Sequence, residues 1–314
     1  MMFNIKKFFN KPISLFPYIK EEVYGFTPNS SQKLGWEIQK FDIEKVWQKS
    51  TGENVTVAVI DTGCDFNHPD LKDNVVDGKN FIELNKDPTD KNGHGSHVSG
   101  TIAAINNQLG ISGIAPKTKI IPVKALNDNG SGDLITLIKS IRWAADQKCD
   151  FITMSLGSPE PHKHLEEAIN YAADKGCVIF CAAGNSGPSS DILYPAKYDN
   201  VIAIGAIDEN LYRTDFTCSG KSLDFMAPGK NILGCVPDGK YAIMSGTSMS
   251  NPYATACACL LLSFLKKNNN LKYKTAQHYI DVFKNFTIPI SNTDLRTREY
   301  QGYGIIDIKK FFYI

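Results

Sequence analysis

From Val55 onward the chain alternates between short, continuous apolar runs and longer stretches with apolar residues at helical spacing. VTVAVID (55–61) is rich in β-branched residues with no polar alternation. That pattern predicts a strand covered on both faces. KIIPVKAL (119–126), DFITMSL (150–156), CVIFCAAG (177–184) and NVIAIGAI (200–207) repeat it. Between them, DLITLIKSIRWAADQK (133–148), with Asp133 near its start, and HLEEAINYAADKG (164–176), closed by Gly176, read as helices. Strands alternating with helices predict an α/β domain: a mostly parallel sheet with helices on both faces. Residues 1 to about 40 read as a polar, irregular lead with aromatic islands. The expected organisation is an N-terminal extension, residues 1–28, and one α/β domain, residues 29–314.

Composition narrows the function classes. The 314 residues are 42% hydrophobic and 21% charged, with a formal net charge of +1. Bulk charge therefore offers nothing to nucleic acid or to a membrane surface. No apolar run approaches the ~18 residues that span a bilayer. Lysines and prolines interrupt the apolar residues of the first twenty positions, whereas a secretory signal needs about 7–15 in a row. The expected location is the cytoplasm. Eight cysteines, several inside apolar runs and none in a Cys-x-x-Cys pair, read as reduced core residues.

Three segments carry candidate chemistry. Asp61 ends the first buried run, in VAVIDTGCDFNHPDL; His94 lies in NGHGSHVSGTIAA; Ser248 lies in SGTSMSNPYATA, ahead of an apolar helical run to about Leu265. Singly, each has an ordinary structural use: an Asp or Ser caps a helix or turn, and His94 with His97 could be two metal ligands or neither. Together, D-T-G, G-H-G-S-H-V-x-G-T and G-T-S-M-x-x-P, in this order and spacing, resemble the three signature motifs of the subtilisin family. The resemblance covers about Gln32 to Ile308.

The resemblance implies a three-layer α/β/α fold and a serine endopeptidase with Asp61, His94 and Ser248 as catalytic triad. It implies an oxyanion hole from Asn185, in CAAGNSG, and the Ser248 N–H, with Thr247 beside them. A protein or peptide substrate is expected as an extended strand between Gly130-Ser131-Gly132 and Ser155-Leu156-Gly157. Ala182, Ala183 and Gly184 would wall the first specificity pocket, and Leu193 would make it shallow. Leu or Met is then expected before the scissile bond, rather than Lys, Arg or Trp. The direction of Asp191 is open, and His97 reads as structural. Calcium is the implied cofactor, held by the Gln32, Asp70 and Asn107 side chains and the Ile105, Leu109 and Ile111 carbonyls. A second cation site at the Ala196, Tyr198 and Val201 carbonyls is left open.

Within the family the chain looks like the intracellular subtilisins of Gram-positive bacteria. They share strings close to DTGCD, HPDLK and GKNF, and an extension with a motif like Leu15-Phe16-Pro17-Tyr18. That likeness implies a self-inhibitory extension lying in the cleft. Three features depart from the pattern. Tyr253 follows Pro252 where histidine is usual. A basic-aromatic segment, IKKFFNK (5–11), precedes the motif. The chain stops soon after the core, which leaves dimerisation open. General protein turnover, dedicated trimming of leader peptides and, remotely, non-catalytic binding on a protease fold are the competing roles.

Overall fold

The computed structural model describes residues 12–23, 26–269 and 275–313. The IKKFFNK segment lies outside them.

The chain opens with two short strands, β1 (Pro12–Leu15) and β2 (Ile19–Glu22), and two short helices, α1 (Trp36–Lys40) and α2 (Ile43–Trp47). Then follow β3 (Thr56–Asp61), β4 (Lys79–Asn80), α3 (His94–Ala103), β5 (Lys119–Lys124), β6 (Ser131–Asp133) and α4 (Leu134–Asp146). Next come β7 (Phe151–Met154), β8 (Leu156–Gly157), α5 (Lys163–Asp174), β9 (Val178–Ala182) and β10 (Val201–Ile207). The last third holds β11 (Phe225–Pro228), β12 (Ile232–Val236), β13 (Lys240–Ser245), α6 (Thr247–Lys267), α7 (Ala276–Phe283), β14 (Thr287–Ile288) and β15 (Ile305–Ile306).

Nine of these strands form one sheet in the order β14-β15-β11-β10-β9-β7-β3-β5-β4. Every pairing in it is parallel except β14 with β15. The predicted apolar runs are its centre: β3, β7, β9 and β10 are buried along almost their whole length. Helices cover both faces, α3 packing with α6 and α4 with α5. This is the expected three-layer α/β/α architecture. Asp133 caps α4, its side chain accepting from Thr136 N at 2.8 Å. Helix α6 is apolar and small-residue-rich on all sides, and it is buried from Thr247 to Ser263. That is the burial expected of a helix without a polar face. All eight cysteines are free and buried.

The lead differs from its predicted irregularity. β1 joins β6 and β8 in one small sheet, and β2 joins β12 and β13 in another. These strands have no hydrophobic alternation of their own. Their extended form comes from pairing with edges far along the chain, which local pattern cannot report.

One buried carboxyl sets a pH dependence. Glu37 on α1 is 4% exposed, and its Oε2 has no hydrogen-bond partner. Burial pushes this carboxyl up to about 7. A raised acid stays protonated when folded, while the unfolded chain ionises from about pH 4.3. Stability is therefore full below that value and falls as pH rises towards 7, by about 3 kcal/mol in all. Glu37→Gln removes the ionisation. We expect it to melt above wild type at pH 8 and to show no such advantage at pH 4, as read by differential scanning calorimetry.

Candidate active site

The functional side chains gather at the C-terminal ends of the parallel strands, where α/β sheets commonly open a crevice. Asp61 is the last residue of β3, and His94 is the first residue of α3. His94 Nδ1 lies 2.8 Å from Asp61 Oδ1 and 3.0 Å from Oδ2, with both residues buried. A carboxylate on Nδ1 fixes the tautomer that leaves Nε2 as the basic nitrogen. Nε2 is buried and has no hydrogen-bond partner. Ser248 sits in the first turn of α6, and its Oγ donates to the Ser155 carbonyl at 3.4 Å. Ser155 Oγ in turn donates to the Ser248 carbonyl at 3.1 Å.

Asn185 follows β9. Its Oδ1 accepts from Thr247 N at 2.9 Å and Thr247 Oγ1 at 2.6 Å. The amide is thereby turned so that Nδ2 points into the cleft, where it donates to the Pro17 carbonyl at 2.8 Å. Thr247 orients the asparagine.

The two backbone segments expected to hold substrate hold residues of this chain's own lead. β1 lies antiparallel to both: Ile13 opposite Gly132, Ser14 opposite Ser131 and Gly157, Leu15 opposite Leu156. Leu15 N also donates to the Gly130 carbonyl at 2.9 Å. Gly130 has φ +74°, and a Cβ there would come within 2.8 Å of Leu15 Cδ1. Ile13 and Phe16 are buried, Ser14 is exposed and Leu15 is half-buried. The Phe16 ring packs on Gly157. Beyond Pro17, the Tyr18 ring lies 5.1 Å from the His94 ring, and its hydroxyl donates to Asn92 Oδ1 at 3.4 Å. Burial, with the charges of Asp61 and Asp90, pushes its phenol up to about 12. The chain then leaves along β13, with Ile19 opposite Ser245 and Glu22 opposite Ala242.

Leu193 presses against Gly184, and its N donates to the Ala183 carbonyl at 3.1 Å. It therefore stands beside the Ala182–Gly184 segment as expected. Asp191 pairs with Lys197, and both are at least one-third exposed, so its charge is already compensated. His97 Nε2 donates to the Ile232 carbonyl at 3.0 Å, and burial brings the imidazole down to about 3. It is a neutral core histidine. His68, Asp70 and Cys235 also converge within 4.8 Å. Both His68 nitrogens are engaged, Nδ1 by Asp70 N and Nε2 by the Lys240 carbonyl, each at 3.1 Å.

The cation-site residues come together in part. Gln32 Nε2 lies 3.2 Å from each of the Ile105, Leu109 and Ile111 carbonyls. Asp70 Oδ2 accepts from Ile111 N at 2.9 Å and Tyr241 OH at 2.7 Å. Asn107 Oδ1 closes its own loop by accepting from Leu109 N at 3.0 Å. At the second position, the Tyr198 carbonyl accepts from Val201 N at 3.1 Å.

Sequence reasoning missed Asp90. This buried carboxylate accepts from Thr62 Oγ1, Asn92 N, Gly93 N, Ser96 N and Ser96 Oγ, at 2.8–2.9 Å. Thr62 N donates to Asp61 Oδ1 at 2.7 Å, and Thr62 Oγ1 accepts from Gly95 N at 3.0 Å. Asp90 thus ties the turn before His94 to the strand end that carries Asp61. The only sequence signal was an Asp four positions before the histidine.

An imidazole oriented by a buried carboxylate, beside a helix-opening serine and an outward amide donor, is equipment for attacking a carbonyl through a serine oxygen. The chain belongs to the subtilase family, whose pattern matches residues 52–304, and it is a serine endopeptidase. It is 39% identical over 277 residues to a protein named intracellular serine protease from Paenibacillus polymyxa, covering 86% of this chain and 83% of that one. It is 36% identical over 291 residues to the major intracellular serine protease of Bacillus subtilis (strain 168), covering 90% of each. It is 40% identical over 283 residues to subtilisin DY of Bacillus licheniformis, covering 89% of this chain and 98% of that one.

Misplacing a catalytic group by about 1 Å can cost on the order of 10² in rate. Asp90→Ala should accordingly lower kcat by roughly 10–100-fold and leave KM near wild type. Steady-state kinetics on a peptide anilide checks this, with circular dichroism confirming the native fold.

Proposed function

We propose that the protein is a cytoplasmic, calcium-dependent endopeptidase held latent by its own N-terminal extension, with Asp61, His94, Ser248 and Asn185 as its catalytic groups. The observation that carries the reading is residues 12–18 lying in the cleft in the direction and register of a substrate.

In turnover, His94 Nε2 takes the Ser248 proton as Oγ attacks the scissile carbonyl, then returns it to the leaving amine. Asp61 keeps the tautomer and stabilises the imidazolium. Asn185 Nδ2 and Ser248 N stabilise the oxyanion. Removing the corresponding asparagine of a subtilisin costs on the order of 10²–10³ in kcat, and the same magnitude is expected for Asn185.

The same geometry explains how the segment resists this chemistry. By register, Phe16 takes the position before the scissile bond, its ring against Gly157, and its carbonyl would be the one attacked. Asn185 instead holds the next carbonyl, that of Pro17. Proline fixes φ near −65° and has no N–H, so the backbone turns at that point. Ser248 Oγ is bonded to Ser155, and Tyr18 covers His94. Leu15-Phe16-Pro17-Tyr18 is thus bound as a substrate without near-attack geometry. A short tether supplies an effective concentration in the mM range, so modest intrinsic affinity suffices. Activation follows cleavage between Tyr18 and Gln32.

The location rests on eight reduced, buried cysteines and on relatives named intracellular. Calcium rests on the three convergent carbonyls. The two ends of an amide side chain differ by a rotation that assigns N or O. With Gln32 Oε1 turned to that point, it lies 3.2 Å from each of the three carbonyl oxygens. That is the spacing around a cation bound at ~2.4 Å. Asp70 is the adjoining carboxylate. When bound, the ion supplies charge that fixes the 105–111 loop, and no reaction step passes through it.

Two outcomes are expected. Full-length Pro17→Ala should cut its own extension several-fold faster than wild type, while Ser248→Ala should stay intact, as read by mass spectrometry of the N-terminus. Calcium at a hundredfold excess over Kd should stabilise the fold by about 2.7 kcal/mol. Asp70→Ala or Asn107→Ala should blunt that response. A melting temperature indifferent to chelator would remove calcium from the account.

A further inference from the structure

Two cysteines that the peptidase chemistry leaves unused lie in contact. Cys149 follows α4 and leads into β7; Cys177 follows α5 and leads into β9. Left-handed residues, Lys148 at φ +57° and Gly176 at φ +89°, end the two helices just before them. β7 and β9 are parallel neighbours, with Phe151 opposite Val178. The two thiols therefore start adjacent strands at the end of the sheet remote from Ser155 and Asn185. Their sulfur atoms are 3.8 Å apart. Cys177 Sγ also donates to the Cys149 carbonyl at 3.1 Å, and Cys149 Sγ to the Ala144 carbonyl at 3.3 Å. Among the described residues no other cysteine pair makes a sulfur–sulfur hydrogen-bonding contact.

We propose that Cys149 and Cys177 are a modification site for small hydroperoxides, which convert the pair to a reversible cross-strand disulfide. The two sulfur atoms already face each other at 3.8 Å, and side-chain rotation is the motion that would close this to bonding distance. The contact with Cys149 brings the Cys177 thiol below the usual range, whereas the same contact and burial raise Cys149. We assign Cys177, which directly follows the half-exposed turn residue Gly176, as the attacking thiolate. Its sulfur takes the distal oxygen of the hydroperoxide, the O–O bond breaks, and the alcohol or water leaves, giving a sulfenic acid. The Cys149 sulfur then attacks that sulfur. The S–S bond forms, the S–O bond breaks, and hydroxide leaves as water with the Cys149 proton. Two thiols are oxidised and one hydroperoxide is reduced. Cys177 is 2% exposed and follows the half-exposed turn residue Gly176, so the proposal is confined to small oxidants.

The bridge closes a 28-residue separation that contains all of α5. It constrains the unfolded chain and ties together two strands whose far ends carry Ser155 and Asn185. Its effect is retained folding under oxidant. The test uses full-length Ser248→Ala, which does not digest itself, reduced and then exposed to hydrogen peroxide. Free thiols are alkylated before and after unfolding, and tryptic peptides are weighed. We expect a peptide pair joined through Cys149 and Cys177, released by dithiothreitol. We also expect a melting temperature raised by roughly 5 °C. Both should be lost in Cys149→Ala and in Cys177→Ala. The proposal is overturned if both thiols alkylate after unfolding, if Cys177 ends as an unbridged sulfinate or sulfonate, or if Cys149→Ala shows the same rise.

Discussion

Two backbone edges, the Gly130–Asp133 segment and Leu156–Gly157, face each other across a gap one strand wide, with Asn185 and the Ser248 turn at its end. Unpaired backbone groups at such edges must be satisfied by another strand or by water. The gap is thus a missing strand, and any extended peptide that enters it gains main-chain hydrogen bonds whatever its sequence. That one constraint suits the site to extended peptides. In this structure the protein's own β1 occupies the gap.

Under the proposed self-inhibition, the lead needs a feature that lets it bind without being cut, and Pro17 is the residue proposed to supply it. Ile13, Leu15 and Phe16 make the contacts of a good substrate, and the backbone then turns so that Asn185 receives the Pro17 carbonyl. Tyr18 lies over His94 while β2 continues along β13. In that proposal, binding on both sides of the cleft adds affinity, and the displaced carbonyl withholds reactivity. Beneath it the Asp61–His94 pair is already formed, fixed through Thr62 and Asp90. The Asp61–His94 pair is therefore organised with the lead in place.

The parts legible in the sequence were those with local signatures. Asp61, His94, Ser248 and Asn185 sit in motifs whose neighbours match residue by residue. The strands at 56–61, 119–124, 178–182 and 201–207 are buried on both faces and so read as unbroken apolar runs. β1 and β2 were not legible, because their extended form is imposed by edges more than a hundred residues away. β11–β13 were missed for a related reason: Gly and Asp interrupt Phe225–Ser245, and its pairing supplies the order. Asp90 escaped because its importance lies in five donors contributed by the fold. The direction of Asp191 became readable only once Lys197 was placed beside it.

The most direct measurement is the labelling rate of Ser248 by a fluorophosphonate, compared between the intact chain, verified by mass, and a chain beginning at Ser30. Such a reagent reports whether the serine, its base and the oxyanion donors are jointly accessible, independent of any peptide preference. The account predicts slow labelling of the intact chain and labelling on the order of a hundredfold faster without the extension, in line with mM effective concentrations. Equal rates in the two chains would contradict it and leave residues 12–22 as a surface tether.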